Sequence, residues 1–298
     1  MSSVSANTKK QYEGKLRNLT KFFLESESKD LNLDDYSTTI QFLSTHPRFT
    51  NAETLKSYIT AILYFTKGKD VYTHYHDFFN TAKEKCIEKA KQQLLPDNRA
   101  QNYLTKEELV ECFTNCYGSF LADGLDYYDH LILALYIIQA PVRADYCGMF
   151  IVKDPEACQD YDDMDVNYCY LADKPEKDSF FVFNKYKTEK TYGRRVIAID
   201  SQLYPILYAH AYERKEKFIL PPFWSSNLLS HKVRNITKKY SGKECSIGLI
   251  RHAWVCDLFK NNPTIHEKEH LAFKMLHSVA VQELYRTTEL LPELNLDE

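Results

Sequence analysis

The sequence predicts a mainly α-helical protein with a small antiparallel β-sheet, divided into two domains. Glycine is scarce, with 8 in 298 residues, while 22 tyrosines and 17 phenylalanines supply large side chains for packing. Few glycines imply few tight turns, and apolar residues recur at intervals of three and four in both halves of the chain, as on one face of a helix. Between residues 166 and 199 the pattern changes to short aromatic and β-branched runs, which are typical of strands.

Four helices are predicted in residues 1–97, which form the first domain. Their predicted ranges are 7–24, 34–43, 52–65 and 74–95. Asn51 is the predicted N-cap of the third helix, because its side chain can accept a hydrogen bond from the first turn. Four helices in this length form a small bundle. The polar stretch 95–103, which contains Pro96, is predicted to link the bundle to the second domain, residues 98–298.

The first predicted helix of the second domain opens with Thr105 and Glu108, which have the spacing of a capping box. The strongly apolar segment 129–139 predicts a buried helix that stops at Pro141, just before Arg143. Three strands are predicted to form an antiparallel meander, at 167–171, 180–183 and 194–199. The loop before the last strand is rich in lysine and is predicted to project as a basic finger. Helices then return at 203–217, 227–239, 247–259, 264–276 and 278–286.

Composition excludes several classes of protein. The chain has no run of about 18 apolar residues and no apolar signal-peptide core at its N-terminus, so an intracellular protein without a membrane segment is expected. Its eight cysteines include no CxxC pair, which indicates free thiols rather than disulfides. The net charge is −3, but residues 101–180 carry −11 while 1–100 carry +3 and 181–298 carry +5. Basic faces that could meet nucleic acid are compatible with this distribution.

Three residues of the stretch 249–286 suggest chemistry on a phosphate: Arg251, His277 and Tyr285. Arginine and histidine can bind phosphate oxygens, and a tyrosine hydroxyl can attack phosphorus. With Arg143 after a buried helix and Lys187 on a hairpin, the set resembles the catalytic residues of the tyrosine recombinases. The likeness covers roughly residues 7–290, and integrases of viruses and mobile elements are the most similar kind. It implies a helical core-binding domain followed by a catalytic domain.

The resemblance implies a reaction that needs no metal, ATP or other cofactor. Tyr285 would attack a DNA phosphate to give a 3′-phosphotyrosyl link. Arg143 and Arg251 would clamp the non-bridging oxygens, Lys187 would act as general acid toward the leaving 5′-oxygen, and His277 would donate a hydrogen bond to the phosphate. The implied partners are double-stranded DNA and further copies of the chain, assembled as a tetramer. The tail 289–298 would then pack on a neighbouring subunit.

Two groups of basic residues are predicted to contact DNA phosphates. The first group lies on the first helix and the second on the hairpin: Lys9, Lys10, Lys15 and Arg17, then Lys185, Lys190, Arg194 and Arg195. Two positions depart from the family pattern. Gly248 stands where the family usually has a histidine, three residues before Arg251, and Leu276 stands where a glycine commonly precedes the histidine. His252 follows Arg251 directly and is predicted to point elsewhere, because a helix turns about 100° per residue.

Three alternatives remain open from the sequence. A type IB topoisomerase shares much of this chemistry, and a non-catalytic DNA-binding relative is favoured by Gly248. A metallopeptidase is suggested by His266, Glu267 and His270 in an H-E-x-x-H pattern, with Glu289 as a possible third ligand. The two charged middle positions of that pattern and the nearby Pro263 favour a solvated first turn instead.

Overall fold

The structure is a computed structural model, and it describes residues 4, 6–92, 95, 97–123, 126–175 and 178–286. The chain divides into two compact units, Met1–Gln92 and Gln93–Glu298. The predicted domain boundary lies after residue 97, whereas the second unit already includes Leu95. Leu95 and Tyr103 are buried in the main core of that unit, so the stretch predicted to be a polar linker is partly an anchored segment.

The first unit contains four α-helices and a short 3-10 turn at Pro47–Phe49. The helices are α1 Ala6–Glu27, α2 Tyr36–Thr45, α3 Ala52–Thr66 and α4 Tyr72–Lys91. Their apolar stripes meet in one core around Leu19, Phe23 and Ile59. Asn51 caps α3 as predicted, since its side-chain oxygen accepts hydrogen bonds from the amides of Glu53 at 2.9 Å and Thr54 at 3.3 Å.

The second unit holds ten α-helices among its described residues. They are α5 Asp97–Ala100, α6 Lys106–Asp123, α7 Tyr127–Ile137, α8 Cys158–Asp163, α9 Glu189–Tyr192, α10 Tyr204–Tyr208, α11 Ser226–Ser241, α12 Ile247–Phe259, α13 Ile265–Lys274 and α14 Val279–Glu283. The capping box at α6 is confirmed, with Thr105 and Glu108 exchanging two hydrogen bonds of 2.8 and 3.2 Å. The predicted helix 203–217 is shorter, because α10 loosens into a π-helical turn at Ala209–Glu213.

A four-stranded sheet lies beside these helices in the order β1 Phe150–Val152, β2 Tyr168–Tyr170, β3 Phe180–Phe183 and β4 Arg195–Ala198. The mainly α fold class with a small sheet is confirmed, and the predicted meander is β2, β3 and β4, paired antiparallel. β1 was not predicted and pairs parallel with β2, so the sheet is mixed. Three residues give too short a run for a period-2 pattern to appear in the sequence.

The helix α12 runs through the main core of the second unit. It is apolar on nearly all sides, and nine of its thirteen residues are buried. A helix with this pattern is enclosed by other elements rather than packed by one face. The charged residue at its centre, Arg251, is therefore held away from solvent. In the described part of the chain no helix has both the length and the apolar character needed to cross a membrane.

Candidate active site

Arg251 is 1% exposed although it carries a charge. Its Nη1 donates hydrogen bonds to the carbonyl oxygens of Pro141 at 2.5 Å and Met275 at 3.1 Å. These bonds fix the guanidinium between the loop after α7 and the end of α13. Its Nη2 has no hydrogen-bond partner among the described residues. A buried guanidinium nitrogen with spare donors is suited to an anionic oxygen such as that of a phosphate.

Tyr285 lies just after α14, a short helix that begins at the N-cap Ser278, whose hydroxyl accepts a hydrogen bond from the amide of Val281 at 3.2 Å. The Nε of Arg251 donates a hydrogen bond to the Tyr285 hydroxyl at 3.1 Å. The guanidinium carbon lies 5.0 Å from the centre of the same ring. Two of the predicted site residues, 34 positions apart in the chain, are thus in direct contact.

The pKa of the Tyr285 hydroxyl reflects a competition between burial and charge. Burial by itself raises the pKa of a tyrosine, because the phenolate loses its hydration. Here the charge of Arg251 and its hydrogen bond, with the charges of Arg143 and Lys187, outweigh burial and lower the pKa of Tyr285 below its ordinary value. The site therefore makes the phenolate, which is the nucleophilic form, easier to reach than it is in a free tyrosine.

Arg143 follows α7, and the backbone around it is fixed by two hydrogen bonds. The Tyr136 hydroxyl donates to the Arg143 carbonyl at 2.6 Å, and the Arg143 amide donates to Asp145 Oδ2 at 3.1 Å. Its guanidinium makes no hydrogen bond or ion pair with the described residues, yet its charge acts on both Tyr285 and His277. The structure therefore brings Arg143 to the same site as Arg251 and leaves its donors unused.

Lys187 lies in the β3–β4 connection and is exposed. It has no hydrogen bond or ion pair within the described ranges, but its charge lowers the pKa of Tyr285. The next residue fixes this loop, because the Thr188 hydroxyl donates a hydrogen bond of 3.2 Å to the carbonyl of Leu276. That bond joins the hairpin to the turn before α14, so it holds Lys187 near the tyrosine.

Leu276 adopts a left-handed conformation with φ of 56°. Glycine adopts this conformation freely, whereas other residues pay roughly 1–2 kcal/mol for it. The side chain of Leu276 is 2% exposed and belongs to the main core, and this burial offsets the strain. Leucine at this position therefore adopts the sharp turn that carries His277.

His277 is buried beside Tyr285, with 5.7 Å between the two ring centres. Burial lowers the pKa of His277 to about 4, so the ring is neutral at pH 7. Its Nδ1 lies 2.9 Å from the carbonyl oxygen of Ser278, which can only accept a hydrogen bond. Nδ1 therefore carries the proton, and Nε2 has a free lone pair and no partner among the described residues. The resemblance implies that His277 donates a hydrogen bond to the phosphate, and Nε2 can do so only after it is protonated.

His252 contacts Tyr285 as well, although it is predicted to point in a different direction from Arg251. Its ring stands edge-on to the tyrosine ring with 4.9 Å between centres, and its Nδ1 lies 2.7 Å from the Tyr285 carbonyl oxygen. Adjacent residues on a helix point in different directions. Both nevertheless reach one tyrosine, because Arg251 contacts its hydroxyl and His252 its backbone.

Buried neutral histidines make stability depend on pH. Burial lowers the pKa of both His252 and His277 to about 4 and also lowers the pKa of His130 and His210. Below about pH 6.5 the unfolded chain protonates His252 and His277, whereas the folded protein keeps both neutral down to about pH 4. Their contribution to stability is therefore complete above pH 6.5 and falls as pH drops toward 4, by up to about 1.4 kcal/mol per pH unit for each of these two histidines.

Urea unfolding between pH 7 and 5 checks this dependence. We expect His277→Gln to give a shallower decline than the parent chain, whereas the same change at the exposed His231 leaves the decline unaltered. Equal declines in the two variants would contradict the assignment.

The hairpin residues predicted to contact DNA differ in whether their charges are paired with carboxylates of the protein. Arg194 is held by Asp162 through two hydrogen bonds of 3.0 and 3.1 Å, and Lys185 pairs with Asp165. The Arg195 guanidinium lies 4.6 Å from the centre of the Phe273 ring. Lys190 is exposed. Internal ion pairs reduce the charge that Arg194 and Lys185 offer to DNA, whereas Lys187, Lys190 and Arg195 have no ion pair with the described residues.

The predicted contacts of the first unit lie along α1. Lys9, Lys10 and Arg17 are exposed, and Lys15 is half-buried with its Nζ 3.4 Å from the carbonyl oxygen of Ser57. The prediction that they bind DNA stays a prediction.

The H-E-x-x-H pattern falls on the first turns of α13. The rings of His266 and His270 are parallel, with 6.4 Å between centres. Glu267 is engaged in a capping box with Thr264, so its carboxylate closes the helix N-terminus. Within residues 4–286 as described, no group of three or more histidine, cysteine or acidic side chains is placed to hold a metal ion. Glu289 and the tail predicted to pack on a neighbour lie outside the described residues.

Comparison with known proteins finds similarity to solved structures. No family model matches the chain, and no curated protein matches it. A solved structure described as the crystal structure of XerA recombinase aligns with 95% of this chain and 87% of its own, at 15% sequence identity and a TM-score of 0.42.

Proposed function

We propose that the protein cuts and rejoins double-stranded DNA through a covalent 3′-phosphotyrosyl intermediate at Tyr285. The observation that carries the proposal is the buried contact between the Arg251 guanidinium and the Tyr285 hydroxyl, made beside unpartnered donors. A phosphate at this point would meet the nucleophile and its clamp together. In the wider proposal, the unit Met1–Gln92 grips DNA, the unit Gln93–Glu298 carries out the chemistry, and four copies assemble to recombine or integrate DNA.

In the proposed cleavage step, side chains of the protein supply the nucleophile, the charge stabilisation and the proton for the leaving group. The Tyr285 oxygen forms a bond to phosphorus while the bond from phosphorus to the 5′-oxygen breaks. Arg143 and Arg251 stabilise the charge that develops on the non-bridging oxygens, and a guanidinium is suited to this because its donors form a planar fork. Lys187 gives a proton to the leaving 5′-oxygen. Rejoining is the reverse, so the phosphoester bond energy is conserved.

His277 supplies the remaining proton transfer in this proposal. Its Nε2 is unprotonated and lies on the side of the ring away from the Ser278 carbonyl. The negative charge of a bound phosphate would raise the pKa of this ring, so that Nε2 takes the proton of the Tyr285 hydroxyl as the tyrosine attacks. The cation that results then donates a hydrogen bond from Nε2 to the phosphate, which recovers the role implied by the resemblance.

Covalent capture tests the proposed function. A pool of DNA duplexes of randomised sequence, nicked so that the short 5′-hydroxyl strand diffuses away, traps a protein–DNA adduct that survives denaturation. We expect adducts whose modified peptide contains Tyr285 and whose DNA converges on a preferred sequence. Binding of the pool without any adduct would favour a non-catalytic DNA-binding protein. Relaxation of supercoiled DNA by single copies would favour a topoisomerase over a recombinase.

Lys187→Ala is expected to slow cleavage by a factor of at least about 100, as for loss of a general acid. The loss should nearly vanish on a substrate with sulfur in place of the bridging 5′-oxygen, because a thiol has a pKa of about 8.5 and departs as a thiolate without a proton. Single-turnover adduct formation on both substrates measures this. Lys190→Ala, an exposed lysine of the same loop, serves as control and should affect both substrates equally. An equal loss on both substrates in Lys187→Ala would exclude the acid role.

A further inference from the structure

Gly248 and Arg99 lie against each other in the second unit. A Cβ built on Gly248 would lie 3.4 Å from Nη2 of Arg99, and its next contact is the Ser246 hydroxyl at 3.7 Å. Gly248 is in the first turn of α12, three residues before Arg251 and four before His252. Residues three and four apart lie on the same side of a helix. The Arg99 guanidinium therefore lies over the side of α12 that leads to the two residues in contact with Tyr285.

Arg99 is held there by its own segment. It belongs to the short helix α5, and the residues that follow it are tied to the connection between α11 and α12. The amide of Glu244 donates to Asn102 Oδ1 at 2.8 Å, and Lys243 Nζ donates to the Tyr103 carbonyl at 3.1 Å. Both bonds fix α5 next to the start of α12, so the approach of Arg99 to Gly248 is built into the second unit.

The Arg99 side chain is exposed and makes no hydrogen bond or ion pair with any residue the structure describes. Its charge nevertheless reaches the site. Burial is the main reason for the lowered pKa of His252, and the positive charge of Arg99 contributes to it. A guanidinium with five free donors, open to solvent and next to a phosphate-clamping helix, has the chemistry to bind a DNA phosphate.

We propose that Arg99 is a further phosphate-binding residue of this site, and that glycine at position 248 leaves the space its guanidinium occupies. The proposal rests on the proposed function for the identity of the phosphate as part of DNA. It also gives Gly248 a physical role. A side chain larger than a methyl group at this position would displace Arg99 from α12, whereas alanine would make an ordinary contact at 3.4 Å.

The test compares adduct formation and DNA binding in matched variants of the full chain. Arg99→Ala is expected to slow adduct formation by about tenfold or more, the loss that follows removal of one hydrogen bond to a charged group. Gly248→Leu should cause a similar loss, Gly248→Ala should cause little, and Arg99→Ala combined with Gly248→Leu should be no worse than either alone. Arg99→Lys should keep part of the activity. Arg214→Ala, a change at an exposed arginine stacked on Tyr127, is the control.

A second readout separates this proposal from the proposed function. Affinity for a 30-base-pair duplex is measured against salt in the Tyr285→Phe background, where no cleavage intervenes. Loss of one phosphate contact lowers the slope of log affinity against log salt by about 1. If the parent chain forms no adduct, the proposed function fails while this slope still decides the role of Arg99. A slope unchanged by Arg99→Ala, or additive losses from Arg99→Ala and Gly248→Leu, would overturn the proposal.

Discussion

Replacing Tyr285 with phenylalanine is expected to abolish covalent adduct formation, with a loss of at least about a thousandfold, while DNA affinity stays within about twofold. The ring contacts with His252, His277 and Arg251 do not need the hydroxyl, so the fold of the site is retained. The nucleophilic oxygen alone is removed. Denaturing gels measure the adduct, and fluorescence anisotropy measures binding.

The control for this change is Tyr161→Phe. The Tyr161 hydroxyl makes no hydrogen bond with the residues the structure describes, and its ring packs on Phe150 and Tyr168. It should cleave like the parent chain. Normal cleavage by Tyr285→Phe would refute the assignment of the nucleophile, whatever the control shows.

Arg251→Met is expected to reduce adduct formation by about 10² to 10³, the loss typical for one lost donor to developing negative charge. The effect on folding should be smaller. Methionine leaves the carbonyl oxygens of Pro141 and Met275 without their donor, at roughly 1–3 kcal/mol each. Removal of a buried cation that has no carboxylate within ion-pair distance among the described residues offsets much of this cost. We expect a net stability change below about 2 kcal/mol by urea unfolding.

Arg143→Ala provides the matched comparison, because its guanidinium is half-buried and makes no hydrogen bond with the described residues. It should lose cleavage to a similar extent with no measurable change in unfolding. If Arg251→Met cleaved DNA within tenfold of the parent rate, the clamp role would be wrong. If Arg143→Ala were unfolded, a structural role for Arg143 would replace the catalytic one.

Periodicity alone was sufficient to predict most helices and the meander, because apolar spacing directly reflects which side of an element is buried. The N-cap Asn51 and the capping box at Thr105 were predictable for the same local reason. β1 and α8 were not, since three and six residues are too few for a pattern. The stretch 95–103 was predicted to be a linker because most of its residues are polar. Its two ends, Leu95 and Tyr103, are nevertheless buried.

The candidate site was predictable as a set of residues but not as a geometry. Order along the chain pointed to Arg143, Lys187, Arg251, His277 and Tyr285. The supporting contacts join residues that are distant in sequence and bear no local signal, such as Thr188 with Leu276 and Arg99 with Gly248. Gly248 is the one local signal for this contact, since a glycine inside a buried helix often marks the close approach of another group.

The hydrogen bond from Arg251 to Tyr285 joins two residues of one polypeptide. With the proposed roles, each copy carries both the nucleophile and the phosphate-binding arginine that contacts it. In the proposed reaction every subunit cuts the strand that it holds itself, and assembly decides only which strands exchange. Mixing a subunit that lacks the Tyr285 hydroxyl with one that lacks the Arg251 guanidinium would consequently restore nothing.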